Sequence, residues 1–555
     1  MTYPYENLEN FTLPELLKRS VGLYGENPVL AKVGSKACTY NDFFQDVQDM
    51  VTLLRENGIS KGDKVLLLSE NMPNWAVAYF SITYFGAVVV PVLPDFHPSD
   101  VHHIIRHSEA KAVFVSDKHL STIEDAAQSD VGFVIKLDTL ELVEELTNKS
   151  YLSQIKSKIS KTSSDIPEPH EDDLASLLYT SGTTGHSKGV MLSHKNLVTN
   201  AMSAYKQITI VPEDSFLSIL PLAHTLECTV GLTVPILHGS SVYYIDKVPT
   251  PSVLLKAFKI VKPTMMVSVP LIIEKIYKNK VLPNFTGSFL MRTLYGIPFF
   301  RKRLNKVAGK KLLENFGGRL RFFGIGGAGI SRYVEQFLIE AEFPFIIGYG
   351  LTETAPLLAG SNLGETIKLG STGLPMAGVE LKIRHKDLNG RGEIIAKSPS
   401  VMIGYYKDEA QTAEVMEDGW FLTGDLGYID EDGFLFINGR SKNVIIGSGG
   451  ENIYPEQIEA TINQHEAVLD SLMMQRDGKL IALVHLDYEL IDKKFEADKN
   501  SDAYVKEEIS KLLEEMRVEV NANISSFSRM VKFVEQIEPF VKTPTKKIKR
   551  YLYTD

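Results

Sequence analysis

Between Leu178 and Gly189 the chain reads Leu-Tyr-Thr-Ser-Gly-Thr-Thr-Gly-His-Ser-Lys-Gly. Hydroxyls at Thr180, Ser181, Thr183 and Thr184 alternate with Gly182 and Gly185, and Lys188 follows. Small residues let backbone N–H groups converge on an anion, hydroxyls add donors, and a lysine adds charge. That is phosphate-cradling chemistry, although the spacing is not the G-x-x-x-x-G-K-[ST] of a Walker A loop. A strand-like run leads directly into it, which separates it from an ordinary Ser/Gly/Thr surface loop.

Three further constellations carry chemistry. Gly324-Ile-Gly-Gly-Ala-Gly329 fits G-x-G-x-x-G after the strand-like Leu320 to Phe323. Alone it would suggest a dinucleotide fold and an NAD-dependent oxidoreductase, but its place deep in the chain is wrong for a first βα turn. The other reading is a turn that lets backbone approach a nucleotide base or acyl group. Gly348 to Thr354 sets Glu353 beside Thr352 after a glycine turn, where a carboxylate next to a triphosphate could hold Mg²⁺; the plain alternative is a surface loop. Gly419 to Gly427 offers Asp425 in what reads as a tight turn, able to accept from two vicinal ribose hydroxyls, with Arg440 following. Its plain alternative is an Asp-Gly hairpin with a salt bridge.

Elements to position these residues are readable. Val65 to Leu68, Val88 to Val92 and Ala112 to Val115 read as buried strands, separated by helices after Pro73 and from Pro98 to His107. Such alternation implies βαβ units and largely parallel sheet. Asn148 to Asp173 is polar and reads as a surface connection. Further strand-like runs are Ser218 to Leu220, Met265 to Val269 and Arg321 to Phe323. Near Gly439-Arg440 the pattern changes to a compact α+β one: a strand at Val444 to Ile446, a helix from about Pro455, a strand at Ile481 to Leu486 and a long helix around 503–523. A basic tail, Lys542 to Arg550, follows.

Composition narrows the classes. Over 555 residues, Lys+Arg 59 against Asp+Glu 69 leaves a net charge of −10, which argues against a nucleic-acid binder. Cys38 and Cys228 are too few for a disulfide framework and point to a reducing compartment. The start of the chain has no secretory pattern, and the best apolar stretch, Thr229 to Ile245, is broken by Pro235 and His238. The expectation is a cytoplasmic protein, attached at most to the inner face of a membrane.

Taken in order, the hydroxyl–glycine loop with its lysine, GIGGAG, YGLTE, WFLTGDLG, GRSKNVII and the terminal KTPTKKIKR resemble the adenylate-forming acyl-CoA synthetases, from about Asn74 to Arg550. LPLAHTLE (Leu220 to Glu227), FFGIGGAG and GSGGENIYPEQIE (Gly447 to Glu459) are most similar to the long-chain fatty acid CoA ligases. The resemblance implies an α/β fold: a large N-terminal domain of several subdomains with mixed and parallel sheets over 1–439, a hinge at 440–442, and a small mobile α+β domain over 443–555. It implies that a fatty acid, ATP and coenzyme A are the substrates, with Mg²⁺, and that acyl-AMP is the intermediate. By the same resemblance the Thr180 to Gly185 loop and Lys188 engage the β- and γ-phosphates, Thr352 contacts phosphate, and Glu353 holds Mg²⁺. Gly326, Gly327, Ala328, Tyr349 and Gly350 line the adenine; Asp425 and Arg440 bind the ribose. His224 lies in the acyl-site motif, Lys442 at the hinge, Gly449 toward the coenzyme A channel, and Lys547 matches the catalytic lysine, although Thr545-Lys546 stand where Ser-Gly is commoner. Transfer to a carrier-protein pantetheine, or a silent acyl or nucleotide sensor, are the alternatives. A last feature is the run from Lys275 to Leu313, which has ten basic residues and no acidic ones, interleaved with Phe289, Leu290, Phe299 and Phe300. It reads either as a patch for peripheral contact with anionic lipid or as a solvated face.

Overall fold

The computed structural model describes residues 8–147, 168–181, 187–362, 364, 367–447, 451–495 and 501–553. Two large sheets dominate the first 440 residues. In the eight-stranded one, Lys64–Leu68 lies parallel between Val88–Val92 and Ala112–Val115, as the short apolar runs predict. Val88–Val92 is buried at every position, which is why it reads as a continuous apolar run instead of an alternating one. Leu174–Ser181 continues this sheet beside Val88–Val92 and pairs antiparallel with Ser187–Ser193. The phosphate-type loop is therefore the tip of a hairpin; Gly182, Thr183, Thr184 and Gly185 lie outside the described residues.

The nine-stranded sheet has a parallel centre: Ser241–Tyr244, Ser215–Ser218, Met265–Ser268, Phe322–Ile325 and Phe345–Gly350. The strand expected at Ser218 to Leu220 ends at Ser218, because Pro221 and the turn behind it cannot extend the ladder. Helix Pro73–Tyr84 packs on strands of both sheets, and this sandwiching explains why it is apolar all round, with Trp75 stacked on Tyr79 at 5.3 Å.

A third sheet joins segments that the local sequence pattern does not pair. Glu380–Arg384, Gly392–Lys397, Trp420–Ile429 and Leu435–Arg440 form an antiparallel meander with one covered face. Asp425 stands inside the strand Trp420–Ile429, not in a tight turn; the alternating burial of that strand carries Asp425 to the covered side. From Ile445 onward a separate apolar core forms around Val468–Arg476, Lys479–Leu486, Lys532–Glu535 and the helices Pro455–Ile462 and Asp502–Ala522. Among the described residues no helix is long and apolar enough to cross a membrane. The Thr229 to Ile245 stretch is a wide helical turn, the short helix Val234–His238 and a strand.

Candidate functional site

The carboxyl ends of the parallel strands face one cleft, the usual place for ligands in open α/β sheets. His224 follows Ser215–Ser218, the GIGGAG turn follows Phe322–Ile325, and Tyr349 and Gly350 end their own strand. Gly326 N–H donates to the Ser268 carbonyl at 3.1 Å, tying that turn to the neighbouring strand, and Gly327 takes φ +84°, which a side chain would strain. Gly350 is forced by space: a Cβ there would sit 1.8 Å from the Pro356 carbonyl oxygen.

Glu353 lies in the short helix Thr352–Thr354 just past this strand. Tyr405, which no motif pointed to, donates its hydroxyl to Glu353 Oε1 at 2.9 Å. The Lys188 ammonium lies 5.2 Å from the Tyr405 ring centroid, and Lys188 stands directly opposite Thr180 across the hairpin. Tyr405 thus holds together the lysine of one sheet and the carboxylate of the other. Its sequence signal, a Gly-Tyr-Tyr run at 404–406, is too ordinary to have been found.

Asp425 and Arg440 are direct cross-strand partners, with Arg440 Nε 3.0 Å from Asp425 Oδ1. Tyr349 donates its hydroxyl to Asp425 Oδ2 at 2.8 Å. Burial pushes the Asp425 carboxyl above its usual value against the opposing pull of Arg440. The salt bridge expected of the plain reading is present, yet it stands inside the cleft.

Lys547 comes from the far end of the chain. Its segment turns tightly, with Thr543 N–H donating to the Lys547 carbonyl and Lys547 N–H to the Thr543 hydroxyl. Lys546 pairs with Asp95 at 2.7 Å on the outside, while Lys547 faces Arg440, Asp425 and Glu353. The Lys547 ammonium is open to the cleft but walled by protein. That enclosure, with the like charge of Arg440, holds its pKa below the ordinary lysine value. Burial, and then Lys547, push His224 down to about 4, so its imidazole is neutral at pH 7. Lys188 is lowered by burial and by Lys442. The structure therefore gathers Lys188, His224, Tyr349, Glu353, Asp425, Arg440 and Lys547 around one space, with Lys442 at its edge. Gly449 lies outside the described residues, as does the side chain of Ser181.

An apolar cavity lies behind the GIGGAG turn, with Gly326 and Gly348 in its lining. Strand register explains its course. Phe216, Met265 and Phe322 form one cross-strand row; Val267, Gly324 and Ile346 form the next on the same face; Gly326 and Gly348 cap the third. Four residues of strand separate the first row from the last, about 13 Å. Leu226 and Val230, just past His224, form the opposite wall. Chemically the whole can hold a polyanion and a vicinal diol at its mouth and an apolar chain behind.

Beside His224, Glu227 is 1% exposed and packs over Gly231. Its Oε2 has no hydrogen-bond partner among the described residues. Burial pushes the carboxyl up to about 8, against hydrogen bonds from Ser218 and the Ile219 N–H.

A family profile described as AMP-binding enzyme matches residues 17–406. The long-chain-fatty-acid–CoA ligase heimdall of Drosophila melanogaster is 30% identical over 516 residues, spanning 84% of this chain and 75% of its own length. A long-chain-fatty-acid–CoA ligase of Bacillus subtilis is 27% identical over 496 residues, 83% of this chain and 82% of its own. Of solved structures, ATP-bound MatB from Rhodopseudomonas palustris superposes with a TM-score of 0.74 at 22% identity, covering 98% of each chain. A benzoate CoA ligase from Burkholderia xenovorans gives 0.75 at 21%, covering 98% of this chain and 99% of its own. At such identities the structures speak for the fold.

The buried carboxyl makes a prediction about stability. Between the unfolded carboxyl value and about 8, folded Glu227 keeps a proton that the unfolded chain has released, so stability falls as pH rises through that window. Glu227→Gln should flatten this fall and gain on the order of 4 kcal/mol at pH 8, with little change at pH 4. Thermal unfolding of both proteins from pH 4 to pH 8 measures it.

Proposed function

This chain belongs to the AMP-binding family of adenylate-forming acyl-CoA synthetases, and on that premise we propose that it is a long-chain fatty acid–CoA ligase. The observation that carries the reading is Lys547: a cation from late in the chain facing Glu353, Asp425 and Arg440 and felt by His224, with an apolar cavity behind the GIGGAG turn.

A carboxylate is a poor electrophile, and ATP supplies the missing leaving group. The fatty carboxylate attacks the α-phosphorus, the α–β bond breaks, pyrophosphate departs, and acyl-AMP forms. Thr180, Ser181, Gly182, Thr183, Thr184, Gly185 and Lys188 hold the phosphates in this reading, and Thr352 adds a hydroxyl. Gly326 to Ala328, Tyr349 and Gly350 line the base, while Asp425 accepts from the ribose hydroxyls with Arg440 beside it. Lys547 neutralises charge as it grows on the phosphoryl oxygens. His224, neutral at pH 7, adds no cation where the acyl carboxylate enters. In the second step the coenzyme A thiol attacks the acyl carbon and AMP leaves, the small domain having turned about Lys442 to bring the Gly449 loop to the thiol's path.

Mg²⁺ fits this donor set. Among the described residues no group of three or more His, Cys, Asp or Glu gathers to hold an ion alone. Glu353 would share Mg²⁺ with the nucleotide phosphates, an arrangement the ion favours, and the ion would offset phosphate charge there.

Long-chain preference is supported by the channel and by the relatives' names. Gly324 sits in its middle row, so a side chain there would narrow it. Gly324→Val should cut activity on palmitate by about tenfold or more while sparing short acids; equal loss on both would contradict the channel. Lys547→Ala should abolish acyl-AMP formation and leave thioester formation from supplied acyl-AMP intact, and equal loss in the two half-reactions would remove Lys547 from its role.

Peripheral contact with an anionic membrane is the companion proposal, and the helix Phe289–Gly296 favours it. It buries none of its residues, with Phe289 84% and Leu290 68% exposed, and the Arg303 guanidinium stacks 4.3 Å from the Phe299 centroid. Not every cation of the basic run is available for lipid: Arg301 pairs with Glu340, Lys306 with Glu342, and Lys278 turns to another part of the chain. Apolar rings rimmed by cations on a chain of net charge −10 suit anionic headgroups. Phe289→Ser with Phe299→Ser should abolish salt-sensitive pelleting with phosphatidylglycerol vesicles. Failure of the unaltered protein to pellet at low salt would end the proposal.

A further inference from the structure

Lys278 lies in the helical turn Tyr277–Val281 of the large N-terminal part, within the basic run, but it does not behave like its neighbours. Its Nζ donates to the main-chain oxygens of His465 at 3.0 Å, Asn463 at 3.1 Å and Val468 at 3.4 Å. An ammonium has three protons, and here each has a carbonyl. Asn463 caps the carboxyl end of helix Pro455–Ile462, where backbone oxygens run out of helical donors and the helix dipole is negative. Burial lowers the Lys278 pKa, as expected for a charge drawn out of water.

The elements it grips are the ones that carry Lys547. Arg550, three residues past Lys547, donates to the Met473 carbonyl and to Glu459. Glu459 belongs to the clasped helix, and Met473 to the strand Val468–Arg476 that begins at the clasped Val468. Lys542, five residues before Lys547, pairs with Asp470 of the same strand at 2.7 Å. One helix and one strand thus join the clasp to the lysine segment. Another link of that segment to the large part, Lys546 with Asp95, is solvent-exposed on both sides, the kind of pair that is worth little.

We propose that Lys278 is a positioning residue: a three-pronged clasp across the two parts of the chain that sets the small part where Lys547 reaches the cleft. It acts through Lys547 and does not itself touch substrate. The choice of readout rests on the adenylation reading above.

The test uses full-length Lys278→Met, which keeps the stem and removes the charge, and Lys278→Arg, which keeps the charge on a different donor shape. Acyl-AMP formation from ATP and palmitate should fall by about tenfold or more in Lys278→Met. Thioester formation from supplied acyl-AMP and coenzyme A should not fall, and Lys278→Arg should recover part of the loss. Trypsin should also cut Lys278→Met faster at Arg440 and Lys442, with the unfolding midpoint unchanged. Equal loss in both half-reactions, or no loss in either, would overturn the clasp. If the unaltered protein makes no acyl-AMP, the adenylation reading fails instead, and the trypsin comparison still decides: unchanged cutting at Arg440 and Lys442 overturns the clasp.

Discussion

Like charges crowd the mouth of the cleft, and much of the structure exists to hold them there. Lys188, Arg440, Lys442 and Lys547 come from three segments of the chain; beyond the effect of burial, Lys442 lowers the pKa of Lys188, and Arg440 that of Lys547. Two carboxylates, Asp425 and Glu353, stand among them. Mutual repulsion would spread such groups into solvent if their segments were free to move. They are not free. Arg440 is fixed by cross-strand register, Lys188 by a hairpin and the Tyr405 ring, and Lys547 by a tight turn anchored through Arg550. A site with more cations than carboxylates is complementary to a polyanion, and a nucleoside triphosphate is one.

Parallel-sheet topology supplies the second half of the site. The strands that bring His224, the GIGGAG turn and Tyr349 to one edge also align glycines in rows beneath it. Backbone without side chains leaves room along the sheet face, and Phe216, Met265 and Phe322 close the far end. The channel is therefore a consequence of register. Moving a strand by one residue would turn Gly324 and Gly326 away from it and put their neighbours in.

How far the sequence alone reaches can be judged from particular residues. Buried parallel strands are legible because burial on both faces leaves an apolar run, and Val88–Val92 and Met265–Ser268 stand almost where the pattern puts them. Motif residues are legible because glycine, hydroxyl and charge in close succession suit a backbone that meets an anion. Asp425 shows the limit: its residues suggest a turn, yet the meander that makes it a strand depends on pairing with Gly392–Lys397 and Leu435–Arg440, which local pattern does not encode. Tyr405 and Glu227 carry no such signal, since each matters through a partner distant in space or through burial alone. The basic run from Lys275 to Leu313 was legible as charge but not as division of labour, with Arg301 turned inward and Lys278 to the small part.

The central claim is that this cleft activates long acyl chains with ATP for transfer to coenzyme A. AMP release measured with Mg²⁺-ATP and coenzyme A, across saturated acids from acetate to stearate with benzoate alongside, tests it most directly. The account predicts rates that peak among the long chains and disappear when coenzyme A is left out. Absence of AMP with every acid would contradict it.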